Sequence, residues 1–136
     1  MRMELIPDIN TKKFWDKEFF RDRIIDPMTN DRINTICKII INNAKKDTKN
    51  KLFDLGIGDG WVEQKLKDNK YFEFNGIDIS EVAIDKLNKK LKGNFNVNNV
   101  YSFESNNLYD TVLALEILEH IPQDKIYNVL LKIKEF

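Results

Sequence analysis

The sequence predicts an α/β protein: a doubly wound, mostly parallel sheet of about four strands, with helical cover at the N-terminal end. Three observations carry this. Short apolar runs alternate with helical patterns from residue 51 onward, in the order β-α-β-α-β-loop-β-α, and that alternation calls for parallel strands joined by crossover helices. Three glycines at every second position, Gly56, Gly58 and Gly60, stand between the first of these strands and the helix after it. The run 110–118 is apolar almost throughout, as in a strand covered on both faces.

Each element has its own signal. Residues 11–23 place Phe14, Trp15, Phe19 and Phe20 at helical spacing, with Thr11 or Asn10 as cap. Pro27 marks a break, and a second helix is expected over 31–46. Its stripe is Ile33, Ile36, Cys37, Ile40, Ile41 and Ala44, and Lys45 and Lys46 fall in its last turn. The aromatic cluster of the first helix fits packing against the sheet, or else a lid over a site. A polar link, 47–50, leads to the strand Leu52, Phe53, Leu55. The helix after the glycines runs from Trp61 to about Asn69, with Val62 and Leu66 inward and Glu63 paired to Lys67. A second strand, 72–79, ends in Asp78; Ser80 caps the following helix, whose buried side is Val82, Ala83, Leu87 and Leu91, and Gly93 terminates it. A weaker strand lies near 95–100. After the strand 110–118, Pro122 opens a last helix with Ile126, Val129, Leu130 and Ile133 on one stripe.

Composition narrows the function classes. Basic and acidic residues balance at 22 each, so no overall field draws the chain to nucleic acid or a membrane surface. The single cysteine, Cys37, rules out an internal disulfide and fits a reducing cytoplasm. No apolar h-region or membrane span is present in the sequence. At 136 residues one domain is expected, with 1–50 as helical cover or lid and 51–136 as the core.

The glycine run reads Asp54-Leu55-Gly56-Ile57-Gly58-Asp59-Gly60. Glycine is needed where the chain takes positive φ or where a ligand lies in the place of a Cβ, and a strand-turn-helix of this kind brings backbone N–H groups toward a ligand. The spacing differs from that of dinucleotide binders, whose third glycine comes one residue later. It resembles the first motif of the class I S-adenosylmethionine-dependent methyltransferases, D-x-G-x-G-x-G, at every fixed position. The segment Glu116-Ile117-Leu118-Glu119-His120-Ile121-Pro122 also resembles the E-x-L-E-H-hydrophobic-P run of small-molecule O-, N- and C-methyltransferases. Together these cover about residues 50–136.

The resemblance implies a Rossmann-like fold and S-adenosylmethionine as cofactor, with S-adenosylhomocysteine as product. Gly56, Gly58 and Gly60 would hold the methionine part, with Asp54 ordering the loop. Asp78 would accept from both ribose hydroxyls, since a carboxylate is acceptor-only, and Ile79 would lie against the adenine. Asn98 or Asn99 stands where the family has an aspartate for the adenine amino group. Carbonyls near Leu115 would accept from the cofactor's ammonium. Glu119 and His120 would face a small-molecule acceptor, His120 as general base. No metal is expected.

Two other readings follow from the same residues. Glu116, Glu119 and His120 are similar to the metal-binding run of small-RNA 3′-end 2′-O-methyltransferases, but those use a second histidine and this chain has none. The family's sheet normally has seven strands, and residue 136 falls where a fifth would begin. An inactive or truncated cofactor-binding module, working through a partner or a second copy at the open sheet edge, is therefore the alternative.

Overall fold

The structure is a computed structural model that describes residues 11–136. The alternative cap Asn10 and the first ten residues, read above for a leader, lie outside them. The elements are α1 (Lys12–Phe20), α2 (Pro27–Asn43), β1 (Asn50–Leu55), α3 (Trp61–Leu66), β2 (Phe72–Asp78), α4 (Glu81–Lys90), β3 (Asn94–Val97), β4 (Thr111–Leu113), a 3-10 turn at Leu118–His120 and α5 (Gln123–Glu135). The strands form one sheet in the order β3-β2-β1-β4, and each neighbouring pair is parallel. This is the doubly wound order expected from the alternating pattern.

Strand β1 shows why both faces are covered. Leu52 packs with Ile33, Cys37 and Ile40 of α2, Val62 and Leu66 of α3, and Leu87 of α4. Phe53 points the other way, where Tyr109, Phe103 and Phe136 surround its ring at centroid separations of 4.5, 5.2 and 5.6 Å. Adjacent residues of one strand thus feed two separate apolar clusters, which is the period-2 rule of a central strand.

Several boundaries differ from expectation for identifiable reasons. Pro27 opens α2 instead of interrupting the chain, and Asp26 caps that helix by accepting from the Thr29 N–H at 2.9 Å; proline's missing donor is harmless in a first turn. The helix ends at Asn43, so Lys45 and Lys46 lie beyond it; Lys45 pairs instead with Asp110. Ile41 is exposed. Helix α4 stops at Lys90, capped by Leu91 in extended conformation, and Gly93 plays no part in ending it. Of the last helix's predicted stripe only Val129 is buried.

The largest correction concerns the strand predicted over 110–118. Only Thr111–Leu113 is strand, pairing with Leu52–Asp54 of β1. Beyond Leu55 the neighbour strand turns away, so Leu115 and its successors, opposite Gly56 and beyond, have no ladder to join. Glu116 then takes a left-handed φ of 52°, and Ile117 comes down onto the turn at Gly56. The apolar continuation is therefore lining for a site and not sheet interior. No described helix is long and apolar enough to cross a membrane.

Candidate active site

The glycine turn closes the carboxyl end of β1. Gly56, Gly58 and Gly60 have φ of 72°, 53° and 61°, a region costly for any residue with a Cβ. A Cβ on Gly56 would lie 2.6 Å from Ile117 Cδ1, and one on Gly58 3.0 Å from Phe19 Cζ. The expectation that loop amides point at a ligand is corrected for four of them. Gly56 and Ile57 donate to the Ile77 carbonyl at 2.9 and 3.0 Å, Gly58 to Asp78 Oδ2 at 2.9 Å, and Gly60 to the Ile57 carbonyl at 2.9 Å. What the loop offers is close approach, held rigid by its own amides.

Asp78 is buried and does two jobs at once. Its Oδ2 takes the Gly58 N–H and its Oδ1 takes the Ser80 N–H at 2.8 Å. Burial pushes its carboxyl up, against the pull of those two amides. Each oxygen has a second lone pair, so a pair of hydroxyl donors still fits. Ile79 beside it is half-buried and lines the same cavity. The side-chain oxygens of Asn98 and Asn99 each accept from a nearby backbone N–H, of Asn99 at 2.8 Å and of Tyr101 at 2.9 Å. Both residues border the cavity with that oxygen already bonded once.

At the end of β4 the cavity receives Leu115, Glu116, Ile117, Glu119 and His120. The 3-10 turn carries Glu119 and His120. His120 Nδ1 is buried with no hydrogen-bond partner among the described residues, and its ring meets Trp15 edge-on at 5.1 Å. Glu116 pairs with Arg32. Among the described residues no three His, Cys, Asp or Glu side chains converge as a metal site, so Glu116, Glu119 and His120 are not gathered as one.

Helix α1 lies over the glycine turn instead of against the sheet. Phe19 covers Gly58, and Asp16 accepts from Ser80 Oγ at 2.7 Å and Val82 N–H at 3.3 Å. Burial alone would raise the Asp16 carboxyl, but its hydrogen bonds from Ser80, Lys12 and Val82 hold it below the usual range. Phe20, expected on the packed side, is 78% exposed.

The glycine turn, Asp78, Ile79, Asn98, Asn99, the Leu115–Ile117 segment, Glu119, His120, Trp15 and Phe19 border one cavity of about 460 Å³. Asp54, Asp59, Asp78, Glu116 and Glu119 outnumber Arg23 and Arg32 in its wall, which suits a ligand carrying positive charge. The structure adds residues the sequence reading missed. Asp59 has a buried Oδ2 with Arg23 Nε 3.5 Å away, and Arg23 lies over the rings of Phe19 and Trp61. Glu63, expected to pair with Lys67 at the surface, is fully buried behind the glycine turn. The contiguous positions Val62, Glu63 and Leu66 on one face of a short helix were the available signal.

Residues 28–134 match the family model described as a methyltransferase domain. This chain belongs to that family. A sequence comparison with curated proteins gives no match. Among solved structures, magnesium protoporphyrin IX methyltransferase from Synechocystis, with bound S-adenosylmethionine, superposes with a TM-score of 0.67 at 15% identity, over 97% of this chain and 73% of that one. The N-methyltransferase NodS from Bradyrhizobium japonicum, with S-adenosylhomocysteine, gives 0.76 at 14% identity, over 91% and 66%. A Haloferax volcanii methyltransferase in complex with the Trm112 activator gives 0.66 at 19% identity, over 88% and 53%. At these identities the likeness is one of fold, and the methyltransferase domain spans only part of each relative.

Proposed function

We propose that this methyltransferase domain binds S-adenosylmethionine in the cavity above the glycine turn and transfers its methyl group to a small-molecule acceptor. The observation that carries the reading is the meeting of the D-x-G-x-G-x-G turn, Asp78 and the Glu119–His120 turn in one acid-rich cavity. The residues fit the cofactor: three left-handed glycines leave room where Cβ atoms would stand, and Asp54 Oδ1 is buried without a partner. When bound, the cofactor supplies a methyl group already activated on a positively charged sulfur.

The protein's share is positioning and exclusion of water. Asp78 orients the ribose while its two amide bonds keep the turn in place, and Ile79 lies along the adenine. Asn98 or Asn99 accepts from the adenine amino group, and carbonyls near Leu115 accept from the ammonium. Trp15 and Phe19 on α1 roof the cavity, so within the N-terminal cover, 1–50, it is α1 that acts as a lid on the core, 51–136, while α2 packs into that core. His120 takes a proton from an acceptor hydroxyl at a ring nitrogen, with Glu119 beside it. The edge of β4 supports pairing with a second copy or a partner chain, and the single buried thiol, Cys37, suits a cytoplasmic setting.

The test is S-adenosylhomocysteine release from S-adenosylmethionine in the presence of small phenols, amines and carboxylic acids. A hydroxyl acceptor should support turnover, and His120→Ala should lower it roughly 10²–10⁴-fold with cofactor affinity retained. Loss of cofactor binding and stability together in that variant would make His120 structural.

A further inference from the structure

Helix α1 is tied to the cofactor seat through one residue, Ser80. It follows Asp78 and Ile79 at the end of β2 and is 0% exposed. Its N–H donates to Asp78 Oδ1 at 2.8 Å, a bond that spans Ile79 and fixes the turn carrying it. Its Oγ accepts from the Ala83 N–H at 3.2 Å, which caps α4. The hydroxyl proton goes across to α1, to Asp16 Oδ1 at 2.7 Å. That oxygen also accepts from the Val82 N–H at 3.3 Å, and Oδ2 of Asp16 accepts from Lys12 Nζ at 3.1 Å.

Asp16 stands between the two aromatic residues that cover the site. Trp15 meets His120 edge-on at 5.1 Å, and a Cβ on Gly58 would lie 3.0 Å from Phe19 Cζ. At nine residues, α1 is too short to hold its shape and place unaided. The other ion pairs joining this region to α4, Lys12 with Glu81 and Asp22 with Lys86, each end on an exposed carboxylate, and such pairs are weak. A carboxylate that takes a fully buried hydroxyl makes the stronger kind of bond.

We propose that Asp16 is a positioning residue for the cofactor: through Ser80 it holds the Asp78–Ile79 turn and the α1 roof together, and so sets how long the cofactor stays bound. This rests on the cofactor reading above, which puts the ribose on Asp78 and the adenine along Ile79. Asp16 itself does not line the cavity. Its removal leaves both amide bonds of Asp78 in place but unpins Ser80 from α1. The helix, with Trp15 and Phe19, then opens more often, and a ligand leaves when its lid opens.

The experiment is stopped-flow fluorescence of Trp15 and Trp61 during binding and release of S-adenosylhomocysteine. It compares the wild type with Asp16→Ala, Asp16→Asn, Ser80→Ala and the double variant Asp16→Ala/Ser80→Ala. Asp16→Ala should release the ligand about tenfold faster, the size expected for one charge-assisted hydrogen bond, with association no slower. Asparagine keeps an oxygen for the Ser80 hydroxyl and the Val82 N–H, so Asp16→Asn should stay within about threefold of wild type. The double variant should release no faster than Ser80→Ala alone, because both changes break the same joint. Should Ser80→Ala lose its α4 cap and fail to fold, the comparison of alanine with asparagine at position 16 decides alone. Unchanged release from Asp16→Ala, equal acceleration in both Asp16 variants, or additive effects in the double variant overturn the inference and leave the cofactor reading standing. No binding of S-adenosylhomocysteine to the wild type removes that reading and this inference with it.

Discussion

Asp78 shows how one side chain serves both fold and site. Its two oxygens satisfy the buried amides of Gly58 and Ser80, so Asp78→Ala should cost about 1–3 kcal/mol of stability for each amide left unpaired, besides weakening nucleoside binding. Urea unfolding checks this; an unchanged midpoint would mean the amides find other partners. Gly58→Ala should destabilise by about 1–2 kcal/mol, since alanine pays the left-handed penalty and meets Phe19 as well. Glu63 gives a pH dependence with a definite sign. Its folded value of about 7 exceeds its ordinary 4.5, so the neutral group is accommodated below the unfolded value and stability is lost as pH rises toward 7. The gap between Glu63→Gln and wild type should therefore widen by about 3 kcal/mol between pH 4.5 and 8, in the variant's favour. Parallel denaturation curves at the two pH values would contradict it.

Helix α1 is held by contacts of two kinds. Phe19 and Trp15 cover Gly58 and His120, while the junction with α4 is polar: Asp16 to Ser80, Lys12 to Glu81 at 2.9 Å, and Lys86 to Asp22 at 3.0 Å. Exposed ion pairs are weak and screened by salt. Asp16→Ala should thus speed amide exchange in Lys12–Phe20 about tenfold relative to α2, equivalent to about 1.4 kcal/mol, with the core unaffected. Equal exchange in both helices would show that the aromatic contacts alone fix α1. The roof over the glycine turn was only half legible in the sequence. Periodicity located Trp15 and Phe19 on one helix but could not say whether they faced sheet or loop, because an aromatic stripe suits either surface. Strand β4 failed for a related reason. Leu115 and Ile117 are as apolar as strand residues, and only the departure of β1 at Gly56 shows that they line a cavity.

At the scale of the whole molecule the parallel, doubly wound sheet followed from alternating runs, whereas the strand order and the second apolar cluster, around Phe53, emerge only in the structure. The candidate site was legible where backbone demands glycine or where a strand ends in an acid, and illegible at Glu63, whose burial depends on three elements closing around it. The free edge of the sheet is shorter than expected, three residues at Thr111–Leu113, so it offers a weaker template for pairing. Self-association through it should appear only at high concentration, and light scattering showing a tight dimer at micromolar protein would point to another interface. The central claim, that this domain holds S-adenosylmethionine above its glycine turn, can be read from the protein's own fluorescence. Both tryptophans, Trp15 and Trp61, line the cavity. Titration with S-adenosylhomocysteine should change their emission saturably, NAD should not, and Asp78→Ala should shift the curve to higher concentration. Saturable binding of NAD with no response to S-adenosylhomocysteine would contradict the account.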